Sequence, residues 1–361
     1  MANSYLETSF IDYWDEVIRQ WLDHNSKDEL FTEDAEEQHT VINAINENCK
    51  NSATYKLNTN HMPEPYWGNP LNCSIVLLDY NPAGGPEPNR HTTIIYKDGD
   101  EKGMTLIKHV KDEKSYSSFA KKCPVFRDAD DLKEEGMGWF CAKKEKGGKG
   151  GYEGYHWWQS KRGWLDHLVE AIYGKKDEKE NRPLPFGMEL CGWHSKKWSS
   201  NMAWIDSCRD IIDKRAIKPL LECLKLGPKK MAVCIGAKFD SGLLGQFFND
   251  KNVLFEDVTT TTFEEIDKKA LIDRVKDDPL FKKYEELTYS VEPGNDNIHV
   301  VAKWKNKGKE EKPKNRYYRI YKITEDNKSY YILNTFAPGS NHHPGKHFWP
   351  FEKVLIEKMM G

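Results

Sequence analysis

Three polar turns, each following an apolar stretch, carry the residues best suited to chemistry. The first is Asp79-Tyr80-Asn81-Pro82-Ala83-Gly84, after the buried-strand pattern of Cys73 to Leu78. The second is Cys191-Gly192-Trp193-His194-Ser195, and the third is Asn341-His342-His343-Pro344-Gly345. An asparagine amide oxygen can hold and orient a water molecule, although it is no base. A histidine can hydrogen-bond to a group on which negative charge develops, or exchange a proton near neutrality. Asn81 and His343 therefore suit a hydrolysis in which water is positioned and an anionic leaving group is stabilised. Each turn also has an ordinary reading. Asn-Pro-Ala-Gly is common turn chemistry with an Asx hydrogen bond, and His342 and His343 can be surface or capping residues. The recurrence at three strand ends is more specific than any one of them.

Four strands are expected to position these turns: Cys73–Asp79, Pro185–Leu190, Met231–Ile235 and Tyr330–Asn334. Helical patterns alternate with them at Lys161–Tyr173, Ile205–Leu226 and Phe239–Phe248, and a final helix is expected at Phe351–Met359. In a parallel sheet, strand ends share one rim, so Asn81, His194 and His343 are expected to converge. The predicted fold is α/β: a three-layer α/β/α sandwich around a short, mainly parallel four-stranded sheet. Residues 1–361 read as one such domain. Residues 1–60 form a helical extension, with Phe10, Trp14, Val17, Ile18 and Trp21 on one stripe and a second helix near Thr32–Cys49. Residues 87–160 show no clear periodicity. Residues 259–329 read as a charged insertion, with a helix over Phe263–Leu287 and strand-like pieces at Ile298–Trp304 and Tyr317–Ile323. A short strand is expected at Val253–Val258.

Composition narrows the function classes. The chain has 361 residues, 38% hydrophobic and 31% charged, with a net charge of -3, and a mean hydropathy of -0.80. No apolar run is long enough to span a bilayer, so no membrane partner is expected. Met1–Glu7 carries neither a basic nor an apolar leader pattern, and secretion is not expected. The eight cysteines lie too far apart for a zinc ribbon or an iron–sulfur pattern, and a reducing cytoplasm fits them. Neither metal nor cofactor is predicted. The overall charge is slightly acidic, so a nucleic acid would have to meet a local basic face. The Lys-rich run Lys303–Arg316 is the candidate, with Lys305, Lys307 and Lys309, joined by Lys346 beside the third turn. The alternative for this run is a solvated loop. Lys143–Gly151 lacks the Gly-Lys-Ser/Thr ending of a phosphate loop and reads as a flexible basic loop.

Leu77-Leu-Asp-Tyr-Asn-Pro-Ala-Gly84 and Asn341-His-His-Pro-Gly345 together resemble the first and last motifs of the uracil-DNA glycosylase superfamily. Those motifs are a strand followed by Gly-x-Asn-Pro-Gly and a strand followed by His-Pro-Ser. The resemblance covers about half of the chain. It implies cleavage of an N-glycosidic bond to a flipped base in DNA, single- or double-stranded, by a cytoplasmic monomer without cofactors. Asn81 would hold the water and His343 would hydrogen-bond the departing base, with Tyr80 or Phe140 stacking on it. Asp79, Pro82, Ala83, Gly84, Trp193, His194, Asn341 and His342 would line the site. The chain departs from the pattern at Asp79, Ala83 and Gly345, and has His194 where many members carry an asparagine. Two alternatives stand beside this reading. One is a binding module of the same fold that recognises a nucleotide or modified base without cleaving it. The other is a metal-dependent hydrolase using His342, His343, His347 and Asp79.

Overall fold

The computed structural model describes residues 5–24, 36–48, 56–59, 62–80, 106–142, 153–174, 182–195, 204–227, 231–248, 253–264, 282, 284, 286–306, 308–337 and 342–360. The chain divides into two compact units. The first comprises Met1–Ser160 and Pro183–Leu226, and the second comprises Lys161–Arg182 and Gly227–Gly361.

In the first unit, a π-type turn at Leu6–Ile11 runs into α1 (Asp12–His24), followed by α2 (Glu36–Asn48). Their apolar stripe buries Phe10, Trp14, Val17, Ile18 and Trp21 as the spacing requires. Five strands follow: β1 (Leu57–Asn58), β2 (Tyr66–Trp67), β3 (Val76–Asp79), β4 (Phe186–Glu189) and β5 (His194–Ser195). β3 pairs parallel with β4, β2 pairs antiparallel with β4, and β1 pairs with β5. All residues of β3 and β4 are buried, which explains their apolar runs; each strand ends on a buried carboxylate residue, Asp79 and Glu189. Gly187 is required in β4, because a Cβ there would lie 2.6 Å from the Trp158 ring.

Residues 87–160, which lack periodicity, hold short helices at Leu106–Asp112, Tyr116–Lys121, Ala129–Glu134 and Gly138–Cys141. Helices this short do not repeat often enough to leave a pattern. They are ordered by tertiary contacts instead. The Asp15 carboxylate accepts from both Ser117 N (2.7 Å) and Ser117 Oγ (2.5 Å). A longer helix, α3 (Glu153–Tyr173), begins eight residues earlier than the expected Lys161. The single helix expected at Ile205–Leu226 is broken into pieces. A π-type stretch at Asp213–Ile217 leads into α4 (Lys218–Lys225). Pro219 has no N–H to donate within the helix, which accounts for the irregularity before it.

The second unit is built on seven strands: β6 (Met231–Ile235), β7 (Leu254–Asp257), β8 (Glu286–Pro293), β9 (Ile298–Asn306), β10 (Lys309–Glu310), β11 (Lys314–Glu325) and β12 (Lys328–Phe336). β6 and β12 pair parallel; every other described pairing here is antiparallel: β12–β11, β11–β9, β11–β7, β9–β8 and β9–β10. The α/β class holds. The expectation of a mainly parallel sheet of four strands does not, because this unit alone has seven and most run antiparallel. The difference comes from residues 254–325, whose strands join the sheet that carries β12.

The helix expected to reach Leu287 is also corrected at its end. Glu286–Pro293 is a strand, and its Leu287, Tyr289 and Val291 alternate with polar residues at period two. The β11–β12 hairpin turns through Asp326 (φ 49°) and Asn327 (φ 61°). Positive φ at both central residues is the requirement of a type I′ turn, which Asp and Asn tolerate. Helices α5 (Ser241–Phe248) and α6 (Trp349–Met360) also belong to this unit, as do a short helix at Thr259–Glu264 and the part of α3 from Lys161 onward. Among the described residues, no helix is long and apolar enough to cross a membrane.

Candidate functional site

The His-Pro turn is the best-defined candidate. β12 ends at Phe336, and the chain re-enters at His342 and runs through a tight turn into α6. Three groups hold this turn. Arg316, buried on β11, donates from Nη1 to the His342 carbonyl (2.7 Å) and from Nε to Thr335 Oγ1 (2.7 Å). Trp349 Nε1 donates to the Pro344 carbonyl at 3.1 Å. Phe348 N closes the turn onto Gly345 O at 2.8 Å. A guanidinium that donates both to the turn and to β12 ties the one to the other.

His343 is half-buried in this setting. Its ring stacks on the fully buried indole of Trp164, with centroids 6.2 Å apart and planes 18° from parallel. Nδ1 lies 2.9 Å from the Pro344 carbonyl. A carbonyl only accepts, so Nδ1 carries the proton, and the neutral ring presents a lone pair at Nε2. Burial pushes the imidazole below its usual value, and the nearby charges of Lys161, Arg316 and His342 push in the same direction. Lys161 stands one turn before Trp164 on α3 and is itself buried. The free ring is therefore neutral and accepting, in cationic surroundings.

Beneath the turn lies Glu352 of α6, which is fully buried. Its Oε2 accepts from Trp164 Nε1 at 2.9 Å. Burial raises its carboxyl to about 7, against the opposing charge of Arg316. Tyr318 faces the same carboxylate, but at a geometry short of a hydrogen bond, and Glu352 Oε1, Tyr318 OH and Arg316 Nη2 are buried without a partner. None of Lys161, Trp164, Arg316 or Glu352 stands out as a site residue in the sequence. One signal was available: Glu352 interrupts the otherwise apolar Phe348–Phe351–Leu355–Ile356 face of α6.

The other expected residues are distributed as follows. Asn81, Pro82, Ala83, Gly84, Asn341 and Lys307 lie outside the described residues, as does the expected convergence of Asn81 with His343. Asp79 is buried, and its Oδ1 accepts from Tyr80 N (2.9 Å). Tyr80 is buried too, and its carbonyl accepts from Cys191 N (2.9 Å). Phe140 packs inside an aromatic cluster with Trp67, Phe119, Trp139 and Tyr155. Trp193 is fully buried and donates to Gln38 Oε1 on α2 at 2.8 Å. His194 lies in β5, paired with Asn58. His342 is exposed, as is Lys346, whose ammonium lies 5.8 Å from the Trp349 ring centre.

His347 packs against β9. Its ring stacks on Trp304 at 4.0 Å, where burial lowers it to about 4. Among the described residues, no three His, Cys, Asp or Glu side chains come together so as to hold a metal ion. The register of the basic hairpin places Lys305 between Glu286 on β8 and Glu310 on β10. Opposite charges directly across a ladder offset one another, so this lysine adds little surplus charge. Lys309, exposed, faces Asn306.

Comparison with protein-family models, curated proteins and solved structures returned no match.

Proposed function

We propose that this chain hydrolyses the N-glycosidic bond of an altered base flipped out of DNA, with His343 as the group that meets the base. The observation carrying this reading is the protonation geometry of His343. Its Nδ1–H is committed to Pro344, its Nε2 lone pair is left over, and the charges of Lys161 and Arg316 act on it. Glycosidic cleavage places negative charge on the departing base and positive charge on the sugar. Cationic surroundings favour that anion, and the same anion raises the affinity of Nε2 for a proton. His343 thus accepts a hydrogen bond from an N–H of the bound base and holds it in place; the attacking water forms the new bond to the sugar as the glycosidic bond breaks, and the proton that water loses ends on the departing base. Asn81, two residues after Asp79 in the sequence, has the water-positioning role in this reading. With it come the three-layer α/β/α sandwich, a monomeric state, a cytoplasmic setting and no resident metal.

The same lone pair favours a second reading, recognition without cleavage. A neutral imidazole that only accepts is a good reader of a base N–H and a poor stabiliser of a carbonyl anion.

The test is single-turnover strand cleavage beside equilibrium binding, on single- and double-stranded oligonucleotides carrying varied modified bases. Asn81→Ala and His343→Ala are compared with the wild type. Turnover lost in both variants with binding kept supports the hydrolase; removing one such group typically costs about a hundred- to a thousand-fold. Binding without turnover in the wild type, weakened in His343→Ala, supports the recognition module. Neither binding nor turnover on any of the DNAs overturns both readings.

A further inference from the structure

We infer that Glu352 is a positioning residue for His343, acting through the indole of Trp164. Burying a carboxylate costs free energy that its pairing rarely recovers, and an apolar residue of similar size would fill the same space. Here the carboxylate makes one well-formed hydrogen bond, to Trp164 Nε1 at 2.9 Å, and leaves Oε1 unpaired. Its own backbone is fixed in α6, where Glu352 N donates to Phe348 O at 3.0 Å. The bond therefore does one specific thing: it sets the rotation of the Trp164 ring. That ring is the surface on which His343 lies, 18° from parallel. With the indole fixed, the imidazole keeps Nδ1 on the Pro344 carbonyl, which leaves the lone pair at Nε2.

Arg316 completes the arrangement. It holds the His342 carbonyl on one side and Thr335 on the other, while its charge lies close enough to Glu352 to oppose the effect of burial. Elements at opposite ends of the unit's sequence, α3 and α6, thereby control one tautomer.

This rests on His343 being the working group of the proposed function, but the test reads His343 itself and needs no substrate. Protein labelled with ¹⁵N-histidine is examined by long-range ¹H–¹⁵N correlation, with His343 assigned by His343→Gln. The wild type is expected to show the Nδ1–H tautomer. Trp164→Phe keeps a ring for stacking but removes the bond. It should raise the Nε2–H fraction by roughly five- to tenfold, the scale of one net hydrogen bond. Glu352→Leu should do the same. Glu352→Gln retains an acceptor for the indole and should leave His343 as in the wild type. Folding of each variant is checked by circular dichroism, and if Glu352→Leu does not fold, the Trp164→Phe and Glu352→Gln pair decides. An unchanged tautomer in folded Trp164→Phe overturns the inference. So does an equal disturbance in Glu352→Gln, which would assign the effect to charge. A correct tautomer response with no activity on any DNA would sink the function and leave the positioning intact.

Discussion

The Nδ1 of His343 lies 2.9 Å from the carbonyl oxygen of Pro344, and this distance decides which end of the imidazole can work. An N–H must fill that gap, so the neutral ring is an acceptor at Nε2. With Nδ1–H committed to Pro344, a donation from this ring to a base carbonyl needs the doubly protonated form. Burial and the charges of Lys161 and Arg316 disfavour that form.

The pH dependence of any activity follows. A histidine working as an acceptor is active when deprotonated, and its folded pKa lies below the usual 6.5. Turnover should therefore rise with pH along an acid limb below 6.5 and then level. Lys161→Met removes one of the charges that depress the ring, so the limb should move to higher pH. The rate–pH profile of both proteins checks this. A profile that falls as pH rises through that limb would instead assign His343 a donor's role.

Stability should respond to Glu352 in the opposite sense from the histidines. Its folded carboxyl is raised from 4.5 to about 7. The folded state thus holds the proton more tightly than the unfolded chain does. Stability from this group is complete below about 4.5 and is lost as pH rises toward 7. A shift of that size corresponds to on the order of 3 kcal/mol. Glu352→Gln abolishes the titration while keeping an acceptor for Trp164. The variant should be more stable than the wild type at pH 8 and differ little at pH 5, in denaturant melts at both pH values. A constant difference across that range would remove Glu352 as the titrating group.

These charges were not legible in the sequence, and the reason is physical. Periodicity reports which residues turn inward. The apolar runs of β3 and β6 therefore read correctly as buried strands, and the α1 stripe as a core-facing helix. The His-Pro turn was visible because a strand must end before it. Arg316 and Glu352 each look like an ordinary surface charge within a pattern that is only partly apolar. What buries them is pairing between elements distant in sequence, Arg316 with the His342 carbonyl and Glu352 with Trp164. The parallel four-stranded sheet was misjudged for a related reason. The strand-like pieces expected at Ile298–Trp304 and Tyr317–Ile323 are β9 and β11, but their pairing into the sheet of β12 joins distant segments, which periodicity does not report.

The Lys-rich hairpin can be tested by salt titration. Each phosphate contact adds about 0.9 to the slope of log affinity against log salt on duplex DNA. Lys305 stands in register between Glu286 and Glu310, so its field is largely offset. Lys305→Ala should change the slope of DNA binding by much less than one contact. The double variant Glu286→Gln and Glu310→Gln should strengthen binding and steepen the slope. If Lys305→Ala alone flattens the slope by a full contact, the offset is absent and the lysine meets a phosphate.

Gly345 follows the His-Pro pair of the turn, and the structure supplies a reason for a glycine there. A Cβ built on Gly345 would lie 2.6 Å from Cε1 of His347. That imidazole cannot simply swing aside, because it is stacked on Trp304 with centroids 4.0 Å apart. Its backbone is fixed as well: the His347 carbonyl accepts from Tyr289 OH at 2.5 Å. Gly345 and His347 are thus one unit, and the turn can carry a side chain at only one of the two positions. Gly345→Ser should destabilise the protein by about 1–3 kcal/mol, the usual scale of overpacking. His347→Ala should also destabilise it, by removing the ring from Trp304. In the His347→Ala background, however, Gly345→Ser should be close to neutral, since the atom it would strike is gone. The measurement is a double-mutant cycle by chemical denaturation, with a coupling of at least about 1 kcal/mol expected for residues in direct contact. Additive effects would mean that His347 yields freely, and that the glycine answers to the backbone of the turn rather than to the ring beside it.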